Sequence, residues 1–259
     1  MHTILVTGGT GTLGKEVVRQ LVDNDNDVRV LSSQQNPDLP EEVTLFSGNL
    51  ATGVGLQKAV DGAEIIIHCA SNPREPQGVD INGTRHLINA AKHNEVRHFI
   101  YISIVGIEKS DYPYYRSKAK AERIIRKSGI PWSILRTTQF HDFILSIIKS
   151  FEINHASIIV PEGMQFQSVD IREVANRLVT LSEEKPKGRL PDMGGPQILS
   201  IEKMTGIYLK TNSEDNVKII SKTTEDKLHD VFRTGINLFQ NKQQGKITWK
   251  EFLQFRLNI

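Results

Sequence analysis

A single cysteine, Cys69, stands in a chain of 259 residues, and that scarcity excludes an internal disulfide framework and points to a reducing compartment. Its apolar neighbours Ile65, Ile66, Ile67 and Ala70 mark it as a buried, inert thiol. A surplus of one charge is also lacking. With 32 Lys and Arg against 30 Asp and Glu the net charge is +2, so no global field calls for nucleic acid or an anionic membrane surface. No apolar run is long enough to span a bilayer. The apolar N-terminal run leads straight into glycines without a basic segment before it, so no signal peptide is expected and the predicted location is cytoplasmic. The eight histidines form no ligand cluster with acids or with Cys69, so no metal is expected. Hydrophobic residues at 38% and charged residues at 24% are those of an ordinary globular protein, long enough for one large α/β domain with a small appendage.

What is present begins at the N-terminus. Ile4-Leu5-Val6-Thr7-Gly8-Gly9-Thr10-Gly11-Thr12-Leu13-Gly14 is an apolar run ending in a glycine cluster, and Val17, Val18, Leu21 and Val22 follow at helical spacing. A strand, a tight turn and a helix N-terminus are predicted. Such a corner aims backbone N–H groups and the positive end of a helix dipole at a phosphate. Glycine is required where a Cβ would block the turn, the approach of a pyrophosphate or the packing of helix on strand. A P-loop is excluded, because no Lys-Ser or Lys-Thr pair closes the motif.

Strands are predicted at 27–31, 43–46, 64–70, 97–103 and 132–136, alternating with helices at 56–60, 79–93 and 114–127. That alternation signifies a doubly wound parallel sheet, with ligands outside the C-terminal strand ends. The loop after the second strand carries Ser32 and Ser33 and no Asp or Glu to bond the ribose of NAD, so it tolerates the extra phosphate of NADP without requiring it. After the third strand, Asn49 beside Leu50 would bracket an adenine. Beyond residue 150 the alternation loosens into strands at 157–160, 197–199 and 217–220 and helices at 171–182, 201–210 and 224–234. The expected organisation is a dinucleotide-binding domain over 1–150 and a smaller C-terminal substrate lobe over 151–259 that contributes in part to the same sheet.

Tyr114 and Lys118 lie four residues apart, on one face of a helix. A nearby ammonium favours the phenolate, lowering the tyrosine's pKa towards the range where it hands a proton to a carbonyl oxygen as hydride arrives. Ser103, ending the preceding strand, would hold that carbonyl. An isolated Y-x-x-x-K commonly decorates a helix; downstream of a glycine turn and one strand after a serine it reads as a site. Thr138, Gln139, Phe140 and His141, after the sixth strand, would line a substrate pocket, although a helix cap with a core aromatic accounts for them equally well. His68 suits packing near the cofactor. Gln240 to Glu251 imitates an EF-hand loop, but Gln240, Lys242 and Gln244 stand where calcium requires carboxylates, so the stretch is read as a lead into a packed terminal helix bearing Trp249, Phe252, Leu253 and Phe255.

The glycine turn, Asp80-x-Asn82-Gly83-Thr84, Ser103-Ile104-Val105-Gly106 and the Tyr114/Lys118 pair together resemble the short-chain dehydrogenase/reductase superfamily. Tyr101 to Gly106 and Leu135 to Phe140 point to its atypical, NmrA-like branch, and the likeness covers most of residues 1–210. The resemblance implies a Rossmann-like fold, NAD(P)(H) on the glycine turn and often reductase chemistry, while some members sense redox state without turnover. It puts Asn49 where the family usually has an aspartate beside the adenine, and Ser33 where its NADP users often carry an arginine. The implied cofactor set is Gly8, Gly9, Thr10, Gly11, Thr12, Leu13, Gly14, Ser32, Ser33, Asn49, Leu50, Cys69, Ala70, Ser71 and Lys118. The implied catalytic set is Tyr114, Lys118 and Ser103. The expectation is an NAD(P)H-dependent oxidoreductase acting on a small carbonyl or quinone-like substrate, with NADP(H) favoured over NAD(H). Its rivals are a redox-sensing regulator that binds a partner protein and, third, a sugar-nucleotide epimerase.

Overall fold

Valine, isoleucine and leucine fill the first strands so completely that both faces need cover, and the chain supplies it by returning a helix after most of them. The computed structural model describes residues 2–151, 153–154, 156–214, 216–239 and 245–257, with 153 and 154 described by their backbone only. The chain runs β1 (Thr3–Thr7), α1 (Thr12–Asp23), β2 (Asp27–Ser32), β3 (Thr44–Ser47), α2 (Leu56–Val60), β4 (Ile65–His68), α3 (Thr84–Lys92), β5 (His98–Ile104), α4 (Pro113–Arg126), β6 (Trp132–Thr137) and α5 (His141–Ser150). It continues through β7 (Ile153–Asn154), β8 (Ser157–Pro161), β9 (Gln165–Phe166), α6 (Ile171–Glu183), β10 (Gly188–Arg189), β11 (Leu199–Ser200), α7 (Ile201–Thr211), β12 (Lys218–Lys222), α8 (Lys227–Arg233) and α9 (Trp249–Arg256).

Seven strands form a parallel sheet in the order β10-β6-β5-β4-β1-β2-β3, with helices around it: the expected Rossmann-like α/β fold. Strand order reverses between β1 and β4, whose register pairs Thr7 with His68 and so ends the two strands level. Leu5, Ile66, Leu87, Phe99, Tyr101, Ala121, Ile125 and Ile134 belong to one buried cluster. In α1 the buried residues Leu13, Val17, Val18 and Leu21 face inward, while Arg19 bridges Glu16 and Asp23 on the outer side.

The described residues divide into two compact units. One comprises Met1–Ser103, Pro113–Arg136 and Val174–Pro191, and the other Ile104–Tyr112, Thr137–Glu173 and Asp192–Ile259. The second unit carries two small sheets, β11-β9 and β12-β8-β7. Trp249 is buried there, its indole N–H donating to the Met204 carbonyl at 3.0 Å. Among the described residues no helix is long and apolar enough to cross a membrane.

Several elements depart from their expected bounds for identifiable reasons. The helix expected over 79–93 opens instead as a π-helical turn, Gln77–Gly83, in which Ile81 N–H bonds the Pro76 carbonyl, before α3 begins. The helix expected from 224 starts at Lys227, because the Asp226 carboxylate caps it by accepting from the N–H groups of Leu228 and His229. The strand expected at 197–199 is Leu199–Ser200. Of the EF-hand-like stretch, 240–244 lie outside the described residues. Its final Glu251 closes a capping box with Thr248 at the start of α9. Trp249, Phe252 and Leu253 pack inward as expected, whereas Phe255 is 62% exposed, with the Arg172 guanidinium 4.1 Å from its ring centre.

A second fold determinant is a buried carboxylate. Glu122 on α4, 2% exposed, accepts from Arg136 Nε at 2.7 Å and Nη2 at 2.9 Å, and from Arg126 Nη2 at 2.9 Å. Burial alone would push its pKa up; Arg136 and Arg126 hold it below the usual carboxylate range. Removing the carboxylate takes away the acceptor of two Arg136 N–H groups and one of Arg126. Glu122→Ala is therefore expected to cost about 3–5 kcal/mol in the free energy of unfolding, read by chemical denaturation.

Candidate functional site

Gly8 leaves β1 at φ +73°, and a Cβ on it would lie 2.6 Å from the Ala70 nitrogen. No side chain fits there. A Cβ on Gly14 would fall 1.9 Å from the Gly8 carbonyl oxygen, and one on Gly9 would meet Val30 at 2.8 Å, so helix and strands close up at these glycines. Gly11 N–H bonds the Gly8 carbonyl at 2.9 Å and caps α1 without a side chain, and no acidic residue stands in the first turn. The first N–H groups of α1, at Thr12, Leu13 and Gly14, have no acceptor within the helix. Thr10 leads into them. The corner thus fits an anionic diphosphate: open amides, a positive helix end and no competing carboxylate.

Across from the corner, the end of β4 is fixed by His68. Its Nδ1 lies 2.6 Å from Thr7 Oγ1 and its Nε2 3.0 Å from Thr84 Oγ1. Thr84 already donates its hydroxyl proton to the Asp80 carbonyl at 2.6 Å, so it accepts from His68 Nε2–H, and Thr7 donates to Nδ1. A proton on Nδ1 would displace that donor. Burial, with the Lys118 charge adding to it, holds the His68 pKa down at about 3. Burial likewise pushes the Cys69 thiol up to about 12, so it is an inert neighbour of the corner, as its apolar setting suggested.

The loop after β4 reaches Tyr114. Tyr114 Oη lies 2.8 Å from Ser71 Oγ, which donates to Asp80 Oδ1 at 2.6 Å, and Asn72 N–H donates to Asp80 Oδ2 at 3.1 Å. Asp80 is fully buried. Lys118, 2% exposed and one helical turn beyond Tyr114, donates to the Ile102 carbonyl at 2.9 Å, sits 4.2 Å from the Tyr101 ring centre and pairs with Asp80 Oδ1 at 3.8 Å. Lys118 therefore serves Asp80, and the expected lowering of the Tyr114 pKa does not occur. Burial first and the Asp80 charge second raise it above the usual phenol value. Tyr114 is a protonated acid at neutral pH.

Other expected residues lie elsewhere in this picture. Ser103 is buried, and its hydroxyl has no hydrogen-bond partner among the described residues, Tyr114 included. Ser32 Oγ accepts from Gln34 N–H, and Ser33 is exposed at the end of β2. The first acid beyond them, Asp38, pairs with Lys15 at 3.0 Å. Asn49 Oδ1 accepts from Ala51 N–H at 2.8 Å and so holds its own turn, and Leu50 packs on the core. In the second unit, Thr138 donates to the Gln167 carbonyl, Gln139 accepts from Asn237 at 3.2 Å, and Phe140 caps α5. His141 Nδ1 lies 2.7 Å from Ser168 Oγ, its Nε2 3.1 Å from the Ile247 carbonyl, and burial lowers its pKa. Three of these four side chains are thus buried and bonded within the fold. Asp80 was singled out from the sequence only as part of the Asp80-x-Asn82-Gly83-Thr84 motif, with no role of its own; its partners Ser71, Asn72 and Lys118 lie outside that motif.

Residues 8–155, more than half of the chain, match a protein family described as NAD(P)H-binding. The Photosystem II assembly factor Ycf39 of Cyanophora paradoxa is 36% identical over 146 residues, which cover 53% of this chain and 46% of that protein. The chain thus spans about half the length of that relative. The (4-alkanoyl-5-oxo-2,5-dihydrofuran-3-yl)methyl phosphate reductase of Streptomyces griseus subsp. griseus is 26% identical over 212 residues, 78% of this chain and 71% of that one. Among solved structures, the NADPH-dependent quinone oxidoreductase QOR2 of Escherichia coli, complexed with NADPH, has a TM-score of 0.78 at 18% identity, covering 98% of this chain and 100% of that chain. At that identity the likeness is one of fold.

His68 makes a pH prediction. An unfolded histidine takes a proton below about 6.5, whereas in the folded protein His68 takes one only near pH 3. Its folded pKa is depressed, so its contribution to stability is present above about pH 6.5 and falls by roughly 1.4 kcal/mol per unit as pH drops towards 3. The His68 imidazole resonances are expected to stay unshifted between pH 7 and 5 in an NMR titration; a titration midpoint near 6.5 would contradict the buried, neutral assignment.

Proposed function

The chain belongs to the NAD(P)H-binding family, and from that premise we propose that it is an NADPH-dependent oxidoreductase that reduces a small carbonyl or quinone-like substrate. The observation that carries this reading is Tyr114: a half-buried phenol kept protonated, hydrogen-bonded at 2.8 Å, in the same compact unit as the glycine corner and one turn from a buried lysine. Gly8 to Gly14 would hold the diphosphate of the cofactor, and Lys118 would stand beside its nicotinamide ribose. When bound, the reduced nicotinamide supplies a hydride. Tyr114 supplies the proton, passing it to the substrate oxygen on which negative charge develops, and is left as the phenolate. Lys118, already beneath β5, supplies positive charge near that phenolate.

NADPH is favoured because no carboxylate ends β2, while Lys15, paired with Asp38, brings a cation beside the loop that follows. The one cysteine, half-buried and free, fits a reducing, cytoplasmic setting. A second reading, a cofactor-sensing regulator that engages a partner protein, is supported by the likeness to an assembly factor.

Tyr114→Phe is expected to keep NADPH affinity and to lower kcat by at least about 100-fold across a panel of carbonyls and quinones. Turnover unchanged by the substitution would remove Tyr114 from the chemistry, and no turnover by the unaltered protein on any member of the panel would favour the regulator. Fluorescence titration is expected to give a Kd for NADPH about tenfold or more below that for NADH, the size of one charge-assisted contact to the added phosphate.

A further inference from the structure

The site contains a carboxylate that reduction by a Tyr–Lys pair does not require. Asp80 is fully buried on the π-helical turn, and its two oxygens are shared among three groups from two elements: the Ser71 hydroxyl and Asn72 N–H from the loop after β4, and Lys118 from α4. A serine hydroxyl has one proton. Because Ser71 gives its proton to Asp80 at 2.6 Å, the 2.8 Å contact to Tyr114 is made with the tyrosine proton, so the order runs Tyr114 O–H to Ser71, Ser71 O–H to Asp80. A charge at the end of such a chain strengthens each link and opposes formation of a phenolate at its head. Two further groups face Tyr114, the Tyr101 phenol on β5 and the Tyr115 ring on α4; Lys118 and Glu122, further along α4, are set against Asp80 and Tyr101.

Resting on the reading of Tyr114 as the proton donor, we propose that Asp80 is the positioning residue of this site. Acting through Ser71, it stores the Tyr114 proton on the phenol until a substrate oxygen replaces Ser71 as acceptor; through its ion pair it holds Lys118 under β5. The chain then favours delivery of a proton over its removal. Ser71 is exposed, so exchange of one acceptor for another needs no movement of the core.

The test reads ionisation directly and needs no turnover. With 3-fluorotyrosine incorporated in place of tyrosine, the phenol ionises at lower pH and carries a fluorine reporter, and the Tyr114 resonance is assigned by its absence in Tyr114→Phe. Asp80→Asn keeps the shape of the side chain and removes its charge; Ser71→Ala, at an exposed position, removes the link. Both are expected to move the ionisation midpoint of residue 114 to lower pH, by about one unit for Asp80→Asn. An unmoved midpoint in both variants, or an upward shift in Ser71→Ala, which would mean that Ser71 donates to Tyr114, overturns the proposal. Should no substrate be found, the reading of the protein as a reductase fails, and the fluorine titration still decides the role of Asp80.

Discussion

The level ending of β1 and β4 is the constraint from which the rest of the site follows. Parallel pairing sets Thr7 opposite His68, and one residue further on Gly8 turns with its backbone so close to Ala70 that a methyl group would overlap the main chain. His68 locks the joint sideways, taking a proton from Thr7 and giving one to Thr84. Those two bonds tie β1, β4 and the start of α3 at a single point. Because β1 and β4 flank the place where strand order reverses, the glycine corner and the loop with Ser71 open on the same side of the sheet.

Electrostatics along α4 follow from burial. Lys118 and Glu122 both face inward, and a charge taken out of water needs a partner of opposite sign or a full set of hydrogen bonds. Lys118 finds Asp80, the Ile102 carbonyl and the face of Tyr101; Glu122 finds Arg136 and Arg126. Ser71, in the loop after β4, joins the first pair through Asp80 and thereby reaches Tyr114, whereas the second pair holds helix and strand together.

The glycine corner was legible because its causes are local. A β-favouring run, a turn that no Cβ permits and a helix of period 3.6 all lie within consecutive residues, and each leaves its mark on composition. The Tyr114–Lys118 spacing was legible for the same reason, as one turn of one helix. Thr138 to His141 were not: a polar group at a strand end looks alike whether it faces a ligand or bonds the backbone of a distant loop, and the partners here, Gln167, Ser168, Asn237 and Ile247, are remote in the chain.

By itself, the order of residues determined the Rossmann-like sheet, the anion-seeking corner and the placing of a phenol and an ammonium on one helical face, since all three arise from neighbours in the chain. Only the tertiary structure decided what the ammonium serves and which way the phenol's proton points. Those outcomes depend on which buried charges meet, and Ser71 meets Tyr114 across a separation of 43 residues that no local pattern encodes.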